Sequence, residues 1–230
     1  MNEIIQAIAV YALPVIFAIT LHEAAHAYAA KYFGDDTAYS QGRMSLNPLR
    51  HIDPFGTLVL PALLYIGSQA MDATPFMLGY AKPVPVDYGR LRNPKKQMAF
   101  VAFAGPAANF VMAFGWMVFS ILLTYFQVYE VYPHKVANAG ILANIVMFVF
   151  NLLPIPPLDG SRVVYSILPN RQAKLYGKLE PYGMFIVLGL LLLQTQNILP
   201  LLGYWIVPVA GFTQTLLEWT VTPFRMLLGS

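Results

Sequence analysis

Long apolar stretches alternate with short polar ones along this chain. Residues 4–30, 98–126, 138–158, 181–196 and 198–218 are almost unbroken apolar runs and read as helices. Crossing a bilayer takes roughly 20 helical residues. The run 181–196 is short by that measure and needs little tilt or polar anchors at its ends. A further apolar segment, 55–70, is bounded by Pro54 and interrupted by Pro61 and Gly67. Three polar loops lie between the runs, at 32–54, 71–97 and 160–181. The first carries Gly34, Gly42, Pro48 and Pro54. In the second, Pro83 and Pro85 flank Val84, and prolines at alternate positions favour an extended chain over a helix.

Composition fixes the class. Hydrophobic residues make up 57% of the 230 positions and charged ones only 11%, against about 25% charge in a soluble domain. The chain therefore reads as an all-α polytopic membrane protein of about five to six transmembrane helices. It forms a single domain over 1–230, with its core at about 4–165 and accessory C-terminal helices at about 181–220. The net charge of +3 comes from basic loops. No cluster of Lys/Arg interleaved with aromatics suggests nucleic acid. With no cysteine, disulfides and thiolate metal sites are excluded. The first run lacks a basic leading region and a small-residue cleavage site, so it is expected to be retained.

Charge asymmetry predicts orientation. Lys31, Arg43 and Arg50 lie in or beside the first loop. Lys82, Arg90, Arg92, Lys95 and Lys96 lie in the second, and Arg162, Arg171, Lys174 and Lys178 in the third. The turn at 127–137 has only Lys135. The positive-inside rule then puts the three loops in the cytoplasm, with the N-terminus and the 127–137 turn outside. If the first two loops share a side, 55–70 cannot be a simple crossing. Either it dips in and returns, or the Pro-Val-Pro stretch re-enters the membrane. Irregular backbone at that depth is tolerated only within protein or beside a wet cavity.

Within the first apolar run stand His22, Glu23 and His26. A carboxylate at mid-membrane costs roughly 2.5–3.5 kcal/mol on insertion scales, so these groups call for partners. Positions i and i+4 share a helix face, so His22 and His26 can bind one metal ion. Glu23, about 100° round the helix, falls beside the ion, where a general base for metal-bound water belongs. A catalytic zinc usually takes three protein ligands. Asp159 is the best candidate for the third, because the predicted topology brings it to the same cytoplasmic half.

These residues, with the segment GPAAN at 105–109 and Asn151, Pro154 and Asp159-Gly160, make the chain resemble the site-2 proteases, the zinc intramembrane metalloproteases of peptidase family M50. The stretches NPLRHIDP at 47–54 and GYAKPVPV at 79–86 resemble its short branch, which lacks a PDZ domain. The resemblance implies one Zn2+ per chain on His22, His26 and Asp159, with Glu23 as catalytic base. It implies that Asn151 pins the substrate backbone or helps stabilise the oxyanion. It further implies a re-entrant β-hairpin in the first loop that pairs with an unwound substrate; Gly42 suits such a hairpin. Gly42 and Asn109 are further candidates for touching substrate, although Asn109 reads more readily as helix packing around Gly105. His51 reads as a hydrogen-bonded structural histidine, not a fourth ligand. The expected partners are the lipid bilayer and single-span membrane proteins already trimmed by another protease. A metal transporter or sensor built on the same ligands is the rival reading, and it leaves Glu23 unexplained.

Overall fold

A computed structural model describes residues 2–59, 63, 81–195 and 201–228. Helix α1 spans Asn2–Phe33, followed by a short α2 at Thr37–Ser40. Two long helices come next, α3 at Pro94–Tyr125 and α4 at Val131–Asn151. Short helices α5 at Asp159–Ile167 and α6 at Asn170–Gly177 precede α7 at Gly183–Thr195 and α8 at Leu201–Leu228. Four stretches are long and apolar enough to cross a membrane: Ile5–Phe33, Pro94–Tyr125, Val131–Asn151 and Asn170–Leu193. The expected count of five to six is thus four among the described residues. The predicted 198–218 span falls in α8, where Gln214 and Glu218 dilute the apolar run. Most of 55–70 lies outside the described residues; Pro54–Val59 forms one π-helical turn.

Three helices make the frame. The Tyr132 hydroxyl at the start of α4 donates to the Ala9 carbonyl near the start of α1 (2.9 Å), so these two helices run the same way. Helix α3 runs against both. On the α3–α4 side, Ala113, Met117 and Ile121 pack with Ile145 and Val149, and Leu217 and Val221 of α8 close this core. Gly140 lets α4 meet the Trp116 ring, since a Cβ there would stand 2.5 Å from Trp116 Cε2. The outer faces keep large apolar side chains exposed, among them Ile8, Phe100, Val111 and Phe212, as contact with lipid tails requires.

The three basic loops gather at one end of this frame. Arg92 N donates to the Phe33 carbonyl (3.1 Å), joining the second loop to the end of α1. Lys95 Nζ donates to the Leu168 carbonyl (2.6 Å) and to Asn170 Oδ1 (2.8 Å), joining it to the third. The expected hairpin of the first loop is not formed, and no strand occurs among the described residues. Gly42 instead takes a positive φ of 65° and closes α2. Gly42 N donates to the Tyr39 carbonyl (2.9 Å) and Arg43 N to that of Ala38 (2.8 Å), which is the left-handed glycine cap of a helix C-terminus.

The helix predicted over 138–158 begins earlier and ends at Asn151. Pro154, Pro156 and Pro157 supply no backbone N–H, so the helical ladder cannot continue through them. The chain turns over 152–158, and Asp159 opens a new helix. Gly160 is needed there because a Cβ would lie 2.6 Å from the Leu153 carbonyl oxygen. The bare backbone of the first turn of α5 therefore packs directly on the end of α4.

Candidate metal centre

His22 lies about 30 Å along α1 from its start, at 1.5 Å per residue. It and His26 are buried, and both imidazoles turn toward α3. Gly105 makes room for them: a Cβ there would stand 2.6 Å from His26 Cε1 and 2.7 Å from His22 Cε1. Asp159 reaches the same point from the first turn of α5. Its Oδ2 is 3.1 Å from His22 Nε2 and 3.3 Å from His26 Nε2, and the two Nε2 atoms are 3.1 Å apart. The three residues singled out as ligands are thus brought together from two helices that are far apart in sequence.

Hydrogen bonding fixes the protons around them. His26 Nδ1 lies 2.7 Å from the Val101 carbonyl; a carbonyl only accepts, so His26 Nδ1 carries the proton. His22 Nδ1 lies 2.5 Å from Asn109 Oδ1, which also only accepts, so His22 is protonated on Nδ1 as well. The two Nε2 atoms are then the ring nitrogens left to face each other and Asp159 Oδ2. That oxygen is buried and accepts no hydrogen bond, although it lies within ion-pair distance of both rings. Two imidazole nitrogens and a carboxylate oxygen this close need a positive charge between them, which a proton or a metal ion can supply. Atoms about 2.0–2.1 Å from a tetrahedral zinc stand about 3.3–3.4 Å apart, which matches the observed 3.1, 3.1 and 3.3 Å. Two neutral imidazoles and one carboxylate fit zinc.

Glu23 is half-buried beside His22, and its Oε2 accepts from Val84 N (2.8 Å). The Val84 N–H is free to do this because Pro83 and Pro85 leave it as the one backbone donor of the Pro-Val-Pro run. The segment is anchored at other points too. Lys82 N donates to the His51 carbonyl (2.9 Å), and Arg43 Nη2 to the Lys82 carbonyl (2.9 Å). The Val84 side chain packs with Ala27 and Ala38. Asp35, fully buried, ties both loops together, accepting from Thr37 N (3.0 Å) and Asp87 N (2.7 Å). The Arg162 guanidinium of α5 sits over the Tyr88 ring, 5.3 Å from its centre. Burial pushes the Tyr88 phenol up from its ordinary value even with that cation nearby.

The remaining candidates fall elsewhere. Asn109 comes into the centre as the partner of His22. Asn151 donates from Nδ2 to the Met147 carbonyl one turn back (3.0 Å). The Gly42 carbonyl takes the Arg50 guanidinium. His51 is buried and bonded through Nε2 to the Ser45 carbonyl (2.8 Å), apart from the cluster of three. Three residues went unread in the sequence: Val84 as the donor to Glu23, Gly105 as the space for the imidazoles, and Asn144 behind Asn109. The signals were present, as a lone N–H between two prolines, a glycine before a proline, and a second buried amide in an apolar helix.

A family model described as "Peptidase family M50" matches residues 127–194. The chain is 36% identical over 183 residues to "Putative zinc metalloprotease YwhC" of Bacillus subtilis, covering 77% of this chain and 78% of that protein. It therefore belongs to peptidase family M50. It is also 30% identical to "Putative zinc metalloprotease Rip2" of Mycolicibacterium smegmatis, covering 79% of this chain and 66% of that protein. The Rip2 of Mycobacterium tuberculosis strain H37Rv is 28% identical, over 87% of this chain and 74% of that protein. No solved structure matches. The family agrees with the resemblance that the motifs carry.

Proposed function

We propose that this M50 peptidase is a zinc-dependent intramembrane endopeptidase, hydrolysing peptide bonds in or near transmembrane segments of single-span membrane proteins. The observation that carries this reading is the convergence of three possible ligand atoms, His22 Nε2, His26 Nε2 and Asp159 Oδ2, set between apolar helices beside Glu23. One zinc held there supplies an acidified water and polarises the scissile carbonyl. Glu23 takes the water proton on its carboxylate and gives it to the leaving amine. Its bond from Val84 N holds that carboxylate in place while it does so. A helical substrate must unwind first, because its carbonyls are already hydrogen-bonded. Asn151, at the end of α4, is the proposed partner for the opened backbone, with Gly42 in the neighbouring loop a second candidate contact.

The proposed orientation places the N-terminus outside and the site in the cytoplasmic half of a cell membrane. The positive-inside rule supports it, together with the meeting of all three basic loops at the site's end of the bundle. A transporter reading uses the same ligands but gives Glu23 no task. Co-expression with tagged single-span substrates, comparing wild type with Glu23→Gln, is the test. Cleavage by wild type alone is expected. If both leave every substrate intact while the purified protein moves zinc across liposomes, the protease reading fails.

A further inference from the structure

Two asparagines stand fully buried among apolar helices, Asn109 on α3 and Asn144 on α4. Leaving a buried amide unpaired is costly, and here nearly every group is paired. Asn109 Nδ2 donates to the Ala18 carbonyl of α1 (3.2 Å) and to Asn144 Oδ1 (3.0 Å). Asn144 Nδ2 donates to the Gly140 carbonyl (2.8 Å). Asn109 Oδ1 accepts from His22 Nδ1.

The direction of this chain is forced. A side-chain amide can be turned end for end, and only its partners say which end is which. Backbone carbonyls accept and never donate. The Gly140 carbonyl therefore holds the NH2 of Asn144 toward itself, which turns Asn144 Oδ1 toward Asn109. The Ala18 carbonyl and Asn144 Oδ1 together claim both N–H groups of Asn109. Only its oxygen is left for His22, so His22 keeps its proton on Nδ1 and bares Nε2.

We propose that Asn144, which hydrogen-bonds to no metal ligand, is a positioning residue that fixes the tautomer of His22 by locking the amide of Asn109. The proposal rests on the reading of His22 as a metal ligand. A ligand imidazole held by an outer partner is a general device; here the hold passes through two amides and ends on the backbone of α4. Without Asn144, the amide of Asn109 is held only by the Ala18 carbonyl and by Met147 Sδ, a weak acceptor at 3.9 Å. It can then turn its NH2 toward His22, which selects the other tautomer and covers the ligating nitrogen.

The test compares Asn144→Leu with Asn144→Asp in the full chain. Leucine keeps the branched skeleton, with bulkier ends, but offers neither an acceptor nor a donor. Aspartate, in its carboxylic-acid form, reproduces both ends of the amide. Zinc affinity is read by competition with a chromogenic chelator. Asn144→Leu is expected to weaken it about tenfold, the lower edge of the 10–100-fold cost of losing a direct outer partner, with Asn144→Asp near wild type. In zinc-free protein, 15N shifts of the His22 ring should show the Nδ1–H form in wild type and a mixture in Asn144→Leu. Equal weakening in both variants, or wild-type affinity and tautomer in Asn144→Leu, overturns the proposal. Wild type that binds no zinc but shows the expected ring shifts sinks the metal reading and leaves the relay standing.

Discussion

Gly105→Ala puts the geometry of the centre to its sharpest test. The added methyl carbon would lie 2.6 Å from His26 Cε1 and 2.7 Å from His22 Cε1, and nearer still to His26 Nε2. Carbon atoms in contact prefer about 3.5–4.0 Å, so the rings must withdraw by about 1 Å. Metal-ligand distances tolerate about 0.2 Å, and a 1 Å misplacement can cost about 10²-fold in rate. Helix α3 itself gains, because alanine is about 0.8–1.0 kcal/mol better than glycine in a helix interior. Overpacking costs about 1–3 kcal/mol, so the zinc-free fold should change in stability by no more than about 2 kcal/mol. The assay has three readings on one detergent preparation: zinc per chain, cleavage of a single-span substrate, and thermal unfolding after chelation. Zinc should fall well below one per chain and cleavage by at least about 100-fold, with the chelated protein still folded. Full zinc content and wild-type cleavage in Gly105→Ala would refute the placement of the imidazoles against α3.

Further expectations follow from the same contacts. Asp159→Asn replaces a charged ligand with a neutral amide and should lower zinc content; undiminished zinc by metal analysis would reject Asp159 as the third ligand. Asp35→Ala strips the acceptor from Thr37 N and Asp87 N. Bonds to a charged group are worth about 1.5–3 kcal/mol each, so a loss of about 3 kcal/mol is expected in denaturant unfolding, with faster proteolysis of the 81–93 segment; an unchanged midpoint would show that Asp35 does not hold the two loops together. The absence of cysteine makes single-cysteine labelling clean. Glu130→Cys should react with an impermeant thiol reagent on intact cells and Lys174→Cys only after lysis, and the reverse pattern would invert the proposed orientation.

What could be read from the sequence depended on the range over which each residue acts. His22 and His26 were legible because their pairing is local: four residues on a helix set a face, whatever surrounds it. Glu23 stands out in the sequence because the cost of desolvating it calls for a partner, and the structure gives it the Val84 N–H. Asp159 needed one long-range inference, that α1 and α4 run the same way, and charge asymmetry in the loops supplied it. Its local setting was not legible, since three prolines could as well have bent the helix as ended it. The hairpin expected in the first loop is absent for a related reason. A glycine at positive φ serves a hairpin bulge and a helix cap equally, and only the Ala38 and Tyr39 carbonyls decide between them. Asn109 and Asn144 show the limit most plainly. In sequence, a buried amide in a membrane helix is indistinguishable from general interhelical glue. What separates a directed relay from glue is which end of each amide meets a group that can only accept, and those groups are the carbonyls of Ala18 and Gly140. A backbone carbonyl exists at every position and leaves no mark in the sequence, so the direction of the relay appears only once three helices are packed.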